Sequence, residues 1–139
     1  MGKTPMRFRF NPARKGLGQV LGPLEAEIMR LVWKKGACTV RQIHRVLAGR
    51  RDIAYTTVMT TMSRLSDKGM LNRSRQGMAY LYQPAMTKPE FDQWVLRSVL
   101  SGLLEAYDKR TLDCLVEFLS QEQPEQLEHL RQVLQIQAA

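Results

Sequence analysis

Residues 53–71 read IAYTTVMTTMSRLSDKGML. Wound as an α-helix, this stretch puts Val58, Met62 and Leu65 on one side, at spacings of four and three. The same winding turns Thr56, Thr57, Thr60, Ser63 and Arg64 the other way. An ordinary solvated face is long and charged, with Glu and Lys pairs that favour helix. This one is short and hydroxylated, and β-branched Thr is a mediocre helix former. Such groups carry a donor, an acceptor and a methyl. They suit a helix pressed into a DNA major groove, where they meet phosphates, base edges and thymine methyls. A Thr-rich solvent face is the plain alternative.

The flanking sequence gives that helix a place. Gly22-Pro23 starts a first helix, with Leu24, Ile28, Leu31 and Val32 as its inner stripe and Gly36 as its end. Thr39 with Gln42 three residues on fits a capping box for a second helix, whose Ile43, Val46 and Leu47 point inward. Gly49 breaks it, and Arg50-Arg51-Asp52 turn the chain into the Thr-faced helix, which stops at Gly69. Residues 70–83 alternate loosely, with Ser74 to Gly77 as a turn signal and Arg73 and Arg75 near the tip. Three short helices and a basic hairpin make a winged helix-turn-helix, in which the third helix lies in the major groove.

Charge agrees with that placement. The 139-residue chain carries a net +8, but unevenly. Residues 1–84 hold sixteen Lys and Arg against four Asp and Glu, a net of +12; residues 85–139 hold five against nine, a net of −4. A polyanion is the expected partner of the first part, with nucleic acid ahead of an acidic membrane surface because the cations are spread over several elements. Residues 1–20, with Lys3, Arg7, Arg9, Arg14 and Lys15, show no period and read as a flexible basic arm, or a solubilising tail.

Beyond Pro84, Thr87 caps a helix over 88–108 with apolar Phe91, Trp94, Val95, Val99 and Leu103. Leu112, Leu115, Val116 and Leu119 mark another, and Leu127, Leu130, Val133 and Leu134 a third after Pro124. About 50 residues in three amphipathic helices do not easily bury every apolar face alone. A two-fold partner of the same kind is the simplest cover, and folding back onto the first domain is the other. The expected dimerisation residues are Phe91, Val95, Val99, Leu103, Leu112, Leu115, Leu119 and Leu130. The fold expected is therefore mostly α with a small β-hairpin: arm 1–20, winged helix 21–84, helical dimerisation arm 85–139.

LEAEIMRLVWKKG, TVRQIHRVL, AYTTVMTTMSRLSDKGML and YLYQPAMTKPEF, in that order, resemble the penicillinase-repressor family over about residues 21–137. That family includes the β-lactamase, methicillin-resistance and copper-homeostasis regulators. The resemblance implies a dimeric winged-helix repressor of inverted-repeat operators, often with TACA-like half-sites. By position it implies Thr56, Thr57 and Thr60 at the groove. Arg64 and Arg41 would meet the backbone, and Arg73 and Arg75 would lie on the wing. Two departures stand out. The cysteine-rich metal motif of the copper branch is missing, with only Cys114 in that region. Where the β-lactam branch is cut near an Asn-Phe bond, this chain reads Glu117-Phe118, so a regulatory protease is a partner the resemblance raises without support from the residues.

No catalytic motif, metal site or cofactor loop is expected. His44 and His129 lack companions at ligand spacing, and Cys38 and His44 straddle a helix start. Cys38 and Cys114 read as buried or incidental thiols in a reducing cytoplasm. Met59, Met62, Met70 and Met78 read as core filler, and Tyr80 and Tyr82 as hairpin packing. No apolar run approaches the roughly 20 residues of a membrane span, and the N-terminus lacks a signal peptide's apolar core. The competing function is a winged-helix protein-interaction module without sequence-specific DNA binding.

Overall fold

Local chemistry sets the boundaries of the first two helices. α1 (Pro23–Lys35) begins with proline at its first position, and the Glu25 carboxylate accepts from the Gly22 N–H at 3.3 Å. It ends at Gly36, whose φ of 79° suits glycine and whose N–H reaches Val32 O at 2.8 Å. α2 (Val40–Ala48) carries the expected capping box: Thr39 Oγ1 accepts from Gln42 N at 3.3 Å, and Gln42 Oε1 accepts from Thr39 N at 2.9 Å. α3 runs Tyr55–Asp67, with Ala54 as an N-cap that offers no side-chain acceptor. An antiparallel hairpin follows, β1 (Leu71–Gln76) and β2 (Ala79–Pro84), then α4 (Lys88–Tyr107), α5 (Arg110–Glu122) and α6 (Pro124–Ala138). The computed structural model describes residues 8–138.

The chain divides into two compact units, one ending at Val95 and one beginning at Leu96. In the first, Ile28 and Val32 of α1, Ile43 and Leu47 of α2, and Val58, Met62 and Leu65 of α3 are fully buried together. Burying each such side chain is worth about 1.5–3 kcal/mol. Leu71 and Tyr82 of the hairpin close the core from below. Tyr82 and Cys38 exchange backbone hydrogen bonds at 2.9 and 2.8 Å, so the segment before α2 pairs with β2 and fastens the hairpin to the helices.

Three expectations are corrected here. Residues 8–20 are not a flexible arm. Gly16–Gln19 form a 3-10 turn that buries Leu17, and Val20 follows it into the core. Asn11 N donates to Gln19 O at 2.7 Å, and Phe8 meets the Trp94 ring edge-on at 5.0 Å. Two apolar residues three apart give no readable period, yet a distant core suffices to order them. Lys3 and Arg7 lie outside the described residues.

The hairpin turn is tighter than Ser74 to Gly77. Arg75 pairs with Tyr80 and Gln76 with Ala79, leaving a two-residue turn at Gly77-Met78, where Gly77 takes φ 62°. Arg73 and Arg75 thus sit within β1, with Arg75 one pair from the turn, near the tip as expected.

The boundary expected after residue 84 falls near Val95. Thr87 and Glu90 cap α4 reciprocally, Thr87 N donating to Glu90 Oε2 at 3.1 Å and Glu90 N to Thr87 Oγ1 at 3.2 Å. The first turns of α4 then pack on the winged-helix core. Phe91 is buried beside the Trp33 ring, centroids 5.5 Å apart, and Val95 lies against the same core. Trp33 Nε1 also donates to Met86 O at 2.9 Å. Phe91 is thus a core residue of the first unit, and Val95 is partly buried against that core.

In the second unit, α4 turns into α5 through Asp108, at φ 53°, and Thr111 Oγ1 donates to Leu103 O at 3.1 Å. Neither α5 nor α6 has a buried residue. Val99, Leu119 and Leu130 are half-buried, while Leu103, Leu112 and Leu115 are exposed. An apolar cavity of about 500 Å³ lies between α4 and α5, walled by Leu100, Leu103, Tyr107, Leu115 and Phe118.

Candidate nucleic-acid interface

The winding of α3 decides which of its hydroxyls face out. Thr61 is the inward one: it is buried, and its Oγ1 donates to Thr57 O at 2.8 Å, which satisfies it without an external partner. Thr56, Thr57, Thr60 and Arg64 are exposed, and Ser63 is half-buried at the edge of their face. Ser63 is where α3 meets the hairpin, for its Oγ accepts from the Arg73 guanidinium at 3.5 Å. Arg73 also lies over the Tyr80 ring, 4.8 Å from the centroid. A side-chain hydrogen bond to Tyr82 pushes Arg73 above its ordinary pKa; the nearby Tyr82, Tyr80 and Asp67 add to this against desolvation. Arg73 is thus an exposed cation with partners on both α3 and the hairpin.

Ion pairs separate structural cations from available ones. Glu27 holds Arg50 at 3.3 Å and Arg51 at 2.7 Å, tying the turn before α3 to α1. Glu25 holds Lys68 at 2.6 Å, tying the end of α3 to the start of α1. Arg41, Arg64, Arg73 and Arg75 form no ion pair among the described residues, and all four are exposed. Arg41 sits in the first turn of α2. The structure therefore joins Ser63 to Arg73 directly and places Thr56, Thr57, Thr60 and Arg64 on one helix beside them.

Several exposed groups of this surface escaped the sequence reading. Tyr55 and Met59 stand out from α3, and Met78 is 97% exposed at the hairpin turn. Met62 and Met70 do fill the core, but Met59 and Met78 do not. A signal existed for Met59: it follows core residue Val58 by one position, which on a helix is a rotation of about 100°. Tyr82 packs the hairpin, whereas Tyr80 is exposed beneath Arg73.

The remaining candidates for chemistry have structural partners. His44 Nε2 lies 2.9 Å from Ile53 O, and its ring meets the Tyr55 ring edge-on at 5.5 Å. Cys38 is buried and Cys114 exposed, both as free thiols. Among the described residues no group of His, Cys, Asp or Glu is arranged to hold a metal ion. Among the same residues no helix is long and apolar enough to cross a membrane.

Comparison with known proteins gives the chain a family. The family model described as "Penicillinase repressor" matches residues 21–136. The transcriptional regulator BlaI of Mycobacterium tuberculosis is 34% identical over 116 residues, covering 82% of this chain and 82% of that protein. The penicillinase repressor of Bacillus licheniformis is 24% identical over 113 residues, covering 80% of this chain and 86% of its own length. The solution structure of the DNA-binding domain of the repressor BlaI is similar over 54% of this chain and 90% of that one, at 25% identity and a TM-score of 0.46. With a family model spanning both the three-helix core and the helices beyond Pro84, and a relative matched over most of both lengths, the chain belongs to the penicillinase repressor family of transcriptional regulators.

Proposed function

We propose that the chain is a homodimeric repressor that binds an inverted-repeat DNA operator, with α3 in the major groove and the hairpin as the wing. The observation that carries this is the surface joined by Ser63 and Arg73. An exposed hydroxyl face lies on one helix, next to a strand whose arginines form no ion pair among the described residues. Thr56, Thr57 and Thr60 face base edges, with Ser63 at the margin. Arg41, Arg64, Arg73 and Arg75 meet phosphates. The side-chain-free cap at Ala54 fits the same reading, since a phosphate oxygen satisfies free N–H groups at a helix start.

Dimerisation rests on the uncovered apolar faces of α4, α5 and α6 from Leu96 onward. Leu103, Leu112 and Leu115, with Val99, Leu119 and Leu130, would be covered by a second copy. Two recognition helices about 34 Å apart then match one turn of duplex. Bound across a promoter, such a dimer blocks polymerase, and it works in the cytoplasm, where the promoter is.

Selection from random duplexes followed by footprinting tests the reading. It should yield a short inverted repeat, bound with an affinity that falls steeply as salt rises. Thr56→Ala with Thr57→Ala should flatten sequence preference. Arg73→Ala with Arg75→Ala should weaken all sequences alike and reduce the salt slope. Binding with no sequence preference at physiological salt would favour a protein-interaction module instead.

A further inference from the structure

Apolar side chains left uncovered in the first unit are not scattered. Among its described residues the large exposed ones are Phe10, Tyr55, Met59, Met78 and Tyr80. Four of these five lie on α3 and the hairpin, the two elements that carry the hydroxyl face and Arg73. Single exposed apolar residues are ordinary, whereas four of them on two adjoining elements point to contact with a partner.

Met59 stands out among them. It is 43% exposed, although Val58 beside it and Met62 one turn on are fully buried. Its helical neighbours are Thr56, three residues before, and Ser63, four residues after, so it extends the hydroxyl strip. Tyr55, four residues before, flanks it. That ring is held in place edge-on by His44, itself fixed near Ile53 O. The core makes no use of the Met59 thioether, and no polar function explains a long apolar side chain at this point.

The chemistry of the groove names what it would meet. In the major groove the edges of the base pairs offer hydrogen-bonding groups and one prominent apolar group, the C5 methyl of thymine. Methionine is unbranched and polarisable, and adapts its shape to such a contact. We propose that Met59 is a specificity-determining residue that contacts a thymine methyl in each half-site. This rests on the reading of α3 as the recognition helix. It adds an apolar reader beside the hydroxyl ones and assigns thymine at one operator position.

The test uses the full chain and the duplex enriched from a random pool, with each thymine replaced in turn by uracil, which lacks only the methyl. At one position per half-site the native chain should bind uracil about fourfold more weakly, the effect of one methyl leaving water. Met59→Ala and the equal-length Met59→Gln should bind thymine and uracil alike at that position. A thymine-to-uracil ratio unchanged by both Met59 variants at every position overturns the assignment while leaving the recognition helix intact. Failure to enrich any sequence overturns the reading of α3 itself, and the assignment with it.

Discussion

Cys38 and Tyr82 exchange two backbone hydrogen bonds, N–H to O at 2.9 Å one way and 2.8 Å the other. This bridge makes the segment before α2 a short third partner for the hairpin. It fixes the wing against the helix that supports α3. The Tyr82 ring is buried beneath it, so backbone pairing and core packing hold the wing at the same point.

Tyr82→Ala is therefore expected to destabilise the first unit by about 3 kcal/mol or more, as other large aromatic truncations in cores do. Urea unfolding followed by circular dichroism measures it. A loss below about 1 kcal/mol would mean that the wing is not anchored through this residue.

Tyr80 differs from Tyr82 in kind. It is exposed and lies under the Arg73 guanidinium. Tyr80→Phe keeps the ring and should leave DNA affinity unchanged. Tyr80→Ala should weaken binding while scarcely altering thermal stability. Equal affinities for the two variants in fluorescence anisotropy would show that the ring does not position Arg73.

The two thiols should behave oppositely. Cys114 is exposed and should react with a chromogenic disulfide in the native protein; Cys38 should react only on unfolding. Burial pushes the Cys38 thiol up from its ordinary value, with Lys35 pulling the other way. The folded state thus holds this proton more tightly than the unfolded state does. The stability it contributes is complete below the unfolded thiol's pKa of about 8.5, and is lost as the pH climbs through the folded value. Urea midpoints should fall over that alkaline range for the native chain. They should fall less for Cys38→Ala, and parallel curves would reject the linkage.

Phe91 and Leu103 lie on one helix, the first buried and the second exposed. Phe91→Ala should destabilise the winged-helix unit by about 3–5 kcal/mol, because it empties a core site beside Trp33. Leu103→Glu with Leu115→Glu should leave that unit folded and convert a dimer to a monomer in sedimentation velocity. If Phe91→Ala changed only the oligomeric state, the packing of early α4 would be misassigned.

Features that depend on a few neighbouring residues were fixed by sequence alone. Pro23, Gly36 and the Thr39–Gln42 pair mark helix ends because a cap is a contact between residues one to four apart. Val58, Met62 and Leu65 fall on one side of α3, and Thr56, Thr57 and Thr60 on the other, because 3.6 residues per turn leaves no choice. Family membership followed from the same local strings. Only the tertiary structure decided what burial requires from afar. Phe91 belongs to the first core because Trp33, from α1, stands beside it. Leu17 and Val20 are ordered because a cluster built mainly by later residues receives them. Met59 is 43% exposed, so a methionine read as core filler stands at the surface beside Thr56 and Ser63. Periodicity gives the direction a side chain takes; whether another segment meets it there is settled by the packed chain.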